Sequence, residues 1–352
     1  LGNAMFLSPL MGVYAEDENA LNSQYAGEIA KYGPLVRDKK TGKLLNLPTK
    51  DFNELSNPLA WLSQPGEKYN SDKFVANFWA EFGIWDNLKF KTSYGVDLSF
   101  WGTDGWNQPF YMNAAQHNDK SSVWSSMNRG NRWQVENVLT YDKQLAQHNF
   151  AVVLGQSAIK YTGRQVGGTA QDMVALDPNK ANLDFTTGLA TDGKRDVYGG
   201  LYSPHTLASY FGRFTYNYAE RYMAQFTVRR DGSSNFGPNN KWGTFPSVSL
   251  GWNVTNEKFL EKRPEWFTKM KVRLSWGKNG NEAIGSFRYT ANVAMGNNYT
   301  FGGAGNQLVN GGSKPSGTPN ADLKWEESEQ YDAGLDLSFF NNSLTFTVDW
   351  FK

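Results

Sequence analysis

The segment 101–124, WGTDGWNQPFYMNAAQHNDKSSVW, sets Trp101, Trp106, Phe110, Tyr111 and Trp124 among Asn and Gln side chains. Indole and phenol faces stack on sugar rings and carboxamides bond to hydroxyls, so these five aromatics are candidates for a glycan contact surface. The same residues suit, better still, an interfacial aromatic girdle with a packed loop behind it, because aromatics are expected at that boundary in any case. Other chemistry is thinner. His117, His148 and His205 are dispersed and lack carboxylates at ligand spacing, whereas a catalytic zinc takes three protein ligands. LDPNKANLD (176–184) and ATDGKRD (190–196) supply oxygen atoms but do not follow the calcium-loop pattern. KWEESEQYD carries Glu326, Glu327, Glu329 and Asp332, yet a glycosidase needs two carboxylates facing across a cleft. Crowded at one strand entry, these read as solvated charges. GGAGNQ from Gly302 lacks the strand–helix context of a nucleotide loop. No catalytic constellation, metal site or cofactor is expected.

The elements that carry these residues read as strands. Phe74, Ala76, Phe78, Ala80, Phe82 and Ile84 share one parity, with Asn77 and Glu81 on the other. After WDNL the alternation resumes at Leu88, Phe90, Thr92, Tyr94, Val96, Leu98 and Phe100, which predicts a hairpin. The unit recurs around DKQLAQ, AER and NNS. Between these short turns lie long connectors, at 102–121, 162–205 and 297–323. RRDGSSNFGPNNKWGTFP, from Arg229, joins two more alternating stretches and is expected to be a structured connector whose Gly and Asn serve turn geometry. Residues 1–70 read as irregular, with some short helix, and 71–352 as about eleven strands. The chain starts without Met or a basic leader and stops within a strand pattern, so a piece of a longer protein is expected.

Composition narrows the class. The 352 residues carry 35 Lys+Arg against 34 Asp+Glu, which argues against a nucleic-acid binder. Cysteine is absent, so neither disulfides nor thiolate sites exist. Aromatics reach 15% while mean hydropathy is only −0.58, so apolar groups are interleaved with polar ones. No run approaches the ~20 apolar residues of a spanning helix. Alternation alone also fits a soluble β-sandwich. Three features favour a transmembrane β-barrel. The strands exceed the ~5–6 residues usual in globular sheets. Aromatics such as Trp85, Trp133, Tyr141, Tyr218 and Trp350 crowd strand ends, and Glu81, Arg213 and Asp336 sit mid-strand on the polar parity, as a wet lumen allows.

Four stretches then carry a family resemblance. VRRDGSSNFGPNNKWGTFPSVSLGW closely resembles the barrel segment of SusC/RagA-type TonB-dependent outer-membrane transporters of Bacteroidota. So does KMKVRLSWGKNGNEAIGSFRY, with Trp276, Gly277, Gly280, Asn281, Ile284 and Gly285 in the family's arrangement. NADLKWEESEQYDAGLDLSFFNNSLTFTVDWF, with Leu323, Lys324, Trp325, Glu326 and Glu327 ahead of a strand, and FVANFWAEFGIWDNLKFKTSYGVDLSF complete the set. The resemblance implies an all-β fold: part of an antiparallel, plugged barrel of about 22 strands, with long extracellular loops and short periplasmic turns. It also implies an outer-membrane importer of oligosaccharides or peptides, not an enzyme. That importer would work with a SusD-like surface lipoprotein and with the TonB complex, reached through plug and N-terminal segments absent from this stretch. A passive outer-membrane channel and a soluble Trp-rich β-sandwich that binds or cleaves glycans remain the alternatives.

Overall fold

A computed structural model describes residues 11–48, 55–302 and 308–352. The opening residues 1–10 and the GGAGNQ stretch beyond Gly302 lie outside the described residues. Among the described residues three short helices, α1 (Glu18–Gln24), α2 (Ala26–Tyr32) and α3 (Pro58–Ser63), precede an almost wholly β stretch. The strands are β1 (Glu67–Trp85), β2 (Leu88–Asn107), β3 (Phe110–Tyr111), β4 (His117–Asn118), β5 (Ser122–Leu145), β6 (His148–Gln171), β7 (Arg195–Leu201), β8 (His205–Tyr218) and β9 (Tyr222–Ser233). They continue with β10 (Trp242–Asn253), β11 (Phe267–Asn281), β12 (Val293–Met295), β13 (Tyr299–Phe301), β14 (Leu308–Asn310), β15 (Ser313–Pro315), β16 (Glu326–Phe339) and β17 (Leu344–Phe351).

The long strands form one meander in the order β1-β2-β5-β6-β8-β9-β10-β11-β16-β17, with β7 added beside β6. Every pairing whose register is described is antiparallel, which lets neighbouring strands close through minimal turns, as at 86–87, 146–147, 219–221 and 340–343. At 219–221 and 340–343 the turns use left-handed backbone, with Ala219, Glu220, Phe340, Asn341 and Asn342 at positive φ. Such turns match the twist of the flanking strands.

Register explains the alternation. One row runs Val152, Phe214, Phe226, Val248, Trp276, Tyr331 across six strands. The next row, shifted by one residue, runs Thr215, Gln225, Ser249, Ser275, Asp332. Because side chains alternate across a strand, the first row builds an apolar face and the second a polar face. The polar face carries real charge chemistry. Arg273 grips Asp336 with two bonds of 2.9 and 3.0 Å and reaches Asp349 at 2.7 Å.

Several strands run further than the alternation suggests. β2 continues to Asn107, so Gly102 and Gly105 belong to a strand rather than to a loop. β6 continues to Gln171, and β7 pairs with it inside what reads as a long connector. DKQLAQ shrinks to a turn at 146–147, because β5 reaches Leu145. The cause is glycine: it breaks apparent alternation where an aromatic from a neighbouring segment lies across the bare backbone. Trp124 covers Gly105, Tyr202 covers Gly163 and Tyr198 covers Gly167.

The chain divides into two compact units. One takes in the described residues up to Lys73 together with Ser99–Gly130 and Gly163–Tyr202; the other holds Phe74–Leu98, Asn131–Thr162 and Ser203–Lys352. The core of the second is a knot of Phe236, Phe245 and Trp325, with Leu207, Ile284 and Leu323 against it. Three of the four resembling stretches meet there. Asn235 donates to the Glu282 carbonyl at 3.2 Å, Ser286 to Asn235 at 3.3 Å, and the Trp325 indole to the Lys241 carbonyl at 3.1 Å. RRDGSSNFGPNNKWGTFP is thus a packing device. β9 and β10 take its ends, Phe236 is 0% exposed, and Arg229 is clamped by Asp231 at 2.8 Å.

Candidate substrate-contact surface

The first unit is organised by a charged turn. Asp38 accepts bonds from the Lys40 amide (3.0 Å) and from the hydroxyls of Thr41 (2.7 Å) and Tyr14 (2.8 Å). These donors stabilise the anion and hold the Asp38 carboxyl below the usual carboxylate range. Glu18 receives two bonds from Arg37 and one from the Leu44 amide, and Arg37 foremost lowers its pKa. The turn drives Leu44 and Leu45 inward, leaving them 1% and 2% exposed.

β3 completes this core. The Tyr111 amide bonds to the Pro34 carbonyl at 2.9 Å. Gly33, at φ +115, lets Pro109 approach so closely that a β-carbon there would stand 2.7 Å from the proline ring. Phe110 then packs with Val36, Leu45, Ala60 and Met112, and Tyr111 with Tyr25, Leu35 and Leu44. Burial raises the pKa of both Tyr25 and Tyr111.

The five aromatics of 101–124 therefore part company. Phe110 and Tyr111, at 7% and 5% exposed, are core residues and offer no face to a ligand, a correction to their candidacy. Trp101 stacks on Tyr202 with ring centres 6.0 Å apart and planes 6° apart. Trp124 lies over Gly105 and donates its indole N–H to Glu67 at 2.9 Å. Both indoles are held by the wall.

Trp106 alone of the five lines an open groove of about 590 Å³, with Lys39, Lys68, Glu67, Asp104 and Gln108 at its edges. The two carboxylates are engaged by neutral donors, Glu67 by Trp124 and Asp104 by the Ser125 hydroxyl at 2.7 Å. Neither lysine makes an ion pair among the described residues. One indole beside an amide and two ammonium groups can hold a polar, ring-bearing ligand. The sequence missed Lys39 and Lys68 as partners of Trp106, because they lie far from it along the chain.

The remaining candidates stay apart. His205 Nε2 faces Glu282 at 3.2 Å and the Ser233 hydroxyl at 3.5 Å. A nucleophile and its orienting carboxylate must sit on opposite ring nitrogens, so this is no acyl-transfer triad. His117 lies against Tyr32 and His148 against Tyr216. Glu326 bonds Asn281, Glu327 pairs with Lys278, and Glu329 accepts from Trp276 and Tyr331. No pair of these carboxylates faces across a cleft. Among the described residues no cluster of three or more His, Asp or Glu is placed to hold a metal ion.

The wall with one wet and one apolar face matches a described family. Residues 17–352 fit the model of the TonB dependent receptor-like β-barrel. The chain belongs to the TonB-dependent receptor family. TonB-dependent receptor P3 of Formosa agariphila is 33% identical over 301 residues, covering 85% of this chain and 28% of that protein. TonB-dependent receptor SusC of Bacteroides thetaiotaomicron is 31% identical over 312 residues, covering 86% of this chain and 29% of that protein. The chain thus spans under a third of the length of these curated relatives. The structure of the RagAB peptide transporter shares the fold at TM-score 0.70 and 22% identity, over 88% of this chain and 33% of that one. The family's members are outer-membrane β-barrel proteins and not enzymes, so the meander is barrel wall and its apolar face meets lipid. A β-sandwich is excluded by the same architecture.

Proposed function

We propose that this chain forms wall and external loops of a TonB-dependent importer of oligosaccharides, with the 1–70 region and the connectors of the first unit on the extracellular side. The observation that carries the proposal is the groove at Trp106. An indole set beside the Gln108 amide, the Ser63 hydroxyl and the ammonium groups of Lys39 and Lys68 suits a sugar ring and its substituents. A SusD-like lipoprotein covering the mouth and the TonB complex at the periplasmic side are the partners proposed from the SusC relative; a passive channel would need neither. Peptide import is the second reading, suggested by the name of the RagAB neighbours.

The test uses the full-length transporter, purified with wild-type sequence or with Trp106→Ala. Titration with oligosaccharide and oligopeptide mixtures is expected to show saccharide binding weakened about tenfold by the substitution, a change of about 1.4 kcal/mol, at unchanged membrane level. Unchanged saccharide affinity returns Trp106 to a structural role, and binding of peptides alone favours the second reading.

A further inference from the structure

At the turn end of the wall, 86–87, 146–147, 219–221 and 340–343 are minimal connections. Between β10 and β11 the chain instead makes a long excursion over 254–266, with 3-10 turns at Val254–Asn256 and Lys258–Leu260. Joining neighbouring antiparallel strands needs no such length. The excursion is nonetheless tightly held. Asn253 and Asn256 both donate to the Glu220 carbonyl, at 2.9 and 3.0 Å. Arg221 donates to the Asn256 carbonyl at 3.2 Å, and Arg263 to the Thr255 and Phe267 carbonyls at 3.0 Å each. Val254 and Thr255 are buried.

Both roots of the excursion are fixed to the apolar face. Glu257 accepts from the Tyr222 hydroxyl and from the Trp252 indole at 3.0 Å, and those two rings are register partners on the apolar parity. At the other root Trp266 stacks on Phe339, ring centres 5.9 Å apart and planes 19° apart. Phe339 in turn meets Phe346. The connector is therefore folded up against the aromatic girdle. Between its roots it holds out Phe259, 69% exposed. Lys258 and Lys262 flank Phe259 in the sequence, and neither makes an ion pair among the described residues.

We infer that 254–266 is an interfacial anchor for phospholipid: Phe259 enters the headgroup–acyl boundary of the periplasmic leaflet while Lys258 and Lys262 bond phosphate groups there. Aromatic side chains favour that boundary, and lysines beside it extend their stems along apolar surface with the ammonium in the headgroups. Glu261 and Glu265 between and beyond the lysines suit the ammonium of a zwitterionic headgroup. Continuity with the lipid-facing girdle at both roots argues for lipid over a periplasmic protein. A rigid excursion placed there would fix the depth of this side of the barrel.

Residues 1–352 contain no cysteine, so Phe259→Cys in the full-length protein, with any cysteine elsewhere replaced, gives a single labelling site. In nanodiscs of phosphatidylethanolamine and phosphatidylglycerol, a nitroxide there is expected to be shielded from a water-soluble nickel relaxant and open to oxygen. A label at Asp86→Cys, on a minimal turn, supplies the water-exposed reference. Lys258→Glu with Lys262→Glu should raise nickel access at 259 several-fold without lowering the membrane level. Nickel access equal to the Asp86 reference overturns the anchor. So does a discrete protein adduct, rather than a lipid adduct, from a photoreactive label at 259 in cells. Should Phe259→Cys fail to fold, Lys262→Cys reads the same boundary.

Discussion

The two compact units use aromatic residues in opposite ways. In the first, Tyr25, Phe110 and Tyr111 are buried in clusters with leucines, as in a soluble core. In the second, Phe214, Phe226, Leu250, Leu274 and Trp350 stand exposed on one face, and the buried aromatic residues among those described gather in the Phe236 knot. A soluble domain gains its stability by removing apolar surface from water, so its large side chains point into one interior. A barrel wall is solvated by lipid outside and water inside, so its apolar residues stay on the surface of the chain. Local sequence pattern reveals the second arrangement and hides the first.

The sharpest test of the contrast is the knot, where the wall unit behaves like a soluble core. Phe236 is 0% exposed and packs on Trp325 with ring centres 5.1 Å apart. Phe236→Ala is expected to cost about 3–5 kcal/mol, the usual range for a fully buried Phe. Urea titration of the full-length protein refolded in lipid would measure it. A loss below about 1 kcal/mol, the size of an ordinary surface change, would mean that the knot is incidental to the wall.

The next largest effect distinguishes the two faces. Phe214 lies in the apolar row opposite Phe226, and Thr215 in the polar row opposite Gln225. Phe214→Arg should cost about 2–4 kcal/mol near the bilayer midplane, and Thr215→Arg much less. Equal costs in reversible folding in lipid would reject the assignment of faces.

These two predictions also mark how far the sequence could be read. The alternation at Phe74–Ile84 and Tyr210–Tyr218 exposes the wall, because period-2 patterning is a property of adjacent residues. The full reach of β2 and β6 stays hidden, because Gly105, Gly163 and Gly167 are completed by Trp124, Tyr202 and Tyr198 from other segments. Phe110 and Tyr111 look like ligand-facing aromatics because their partners, Leu35, Leu44 and Leu45, lie in a distant segment. Trp106 looks no different from its neighbours, and only the groove separates it from them. The excursion at 254–266 carries no sequence pattern that marks it out, since the bonds that lift it onto the girdle come from Glu220, Tyr222 and Trp252.

The smallest expected effect lies in the first unit and is set by pH. Three donors stabilise the Asp38 carboxylate, so its pKa in the folded unit is lower than the ~3.9 of an unfolded chain. A group of this kind adds stability above its unfolded pKa, and that contribution is lost as pH falls through the lower, folded value. Glu18, lowered by Arg37 and the Leu44 amide, acts in the same direction. Acidification from pH 5 to pH 3 should therefore loosen 14–45 ahead of the wall strands. Hydrogen exchange on the full-length protein in nanodiscs would resolve the two regions. Asp38→Asn keeps the side-chain shape but removes the charge, and Glu18→Gln does the same at the Arg37 clamp. The double variant should exchange faster at pH 7 and show a flatter response between pH 5 and pH 3. An acid response as steep as that of the unmodified protein would show that these two carboxylates do not govern the acid sensitivity of the unit.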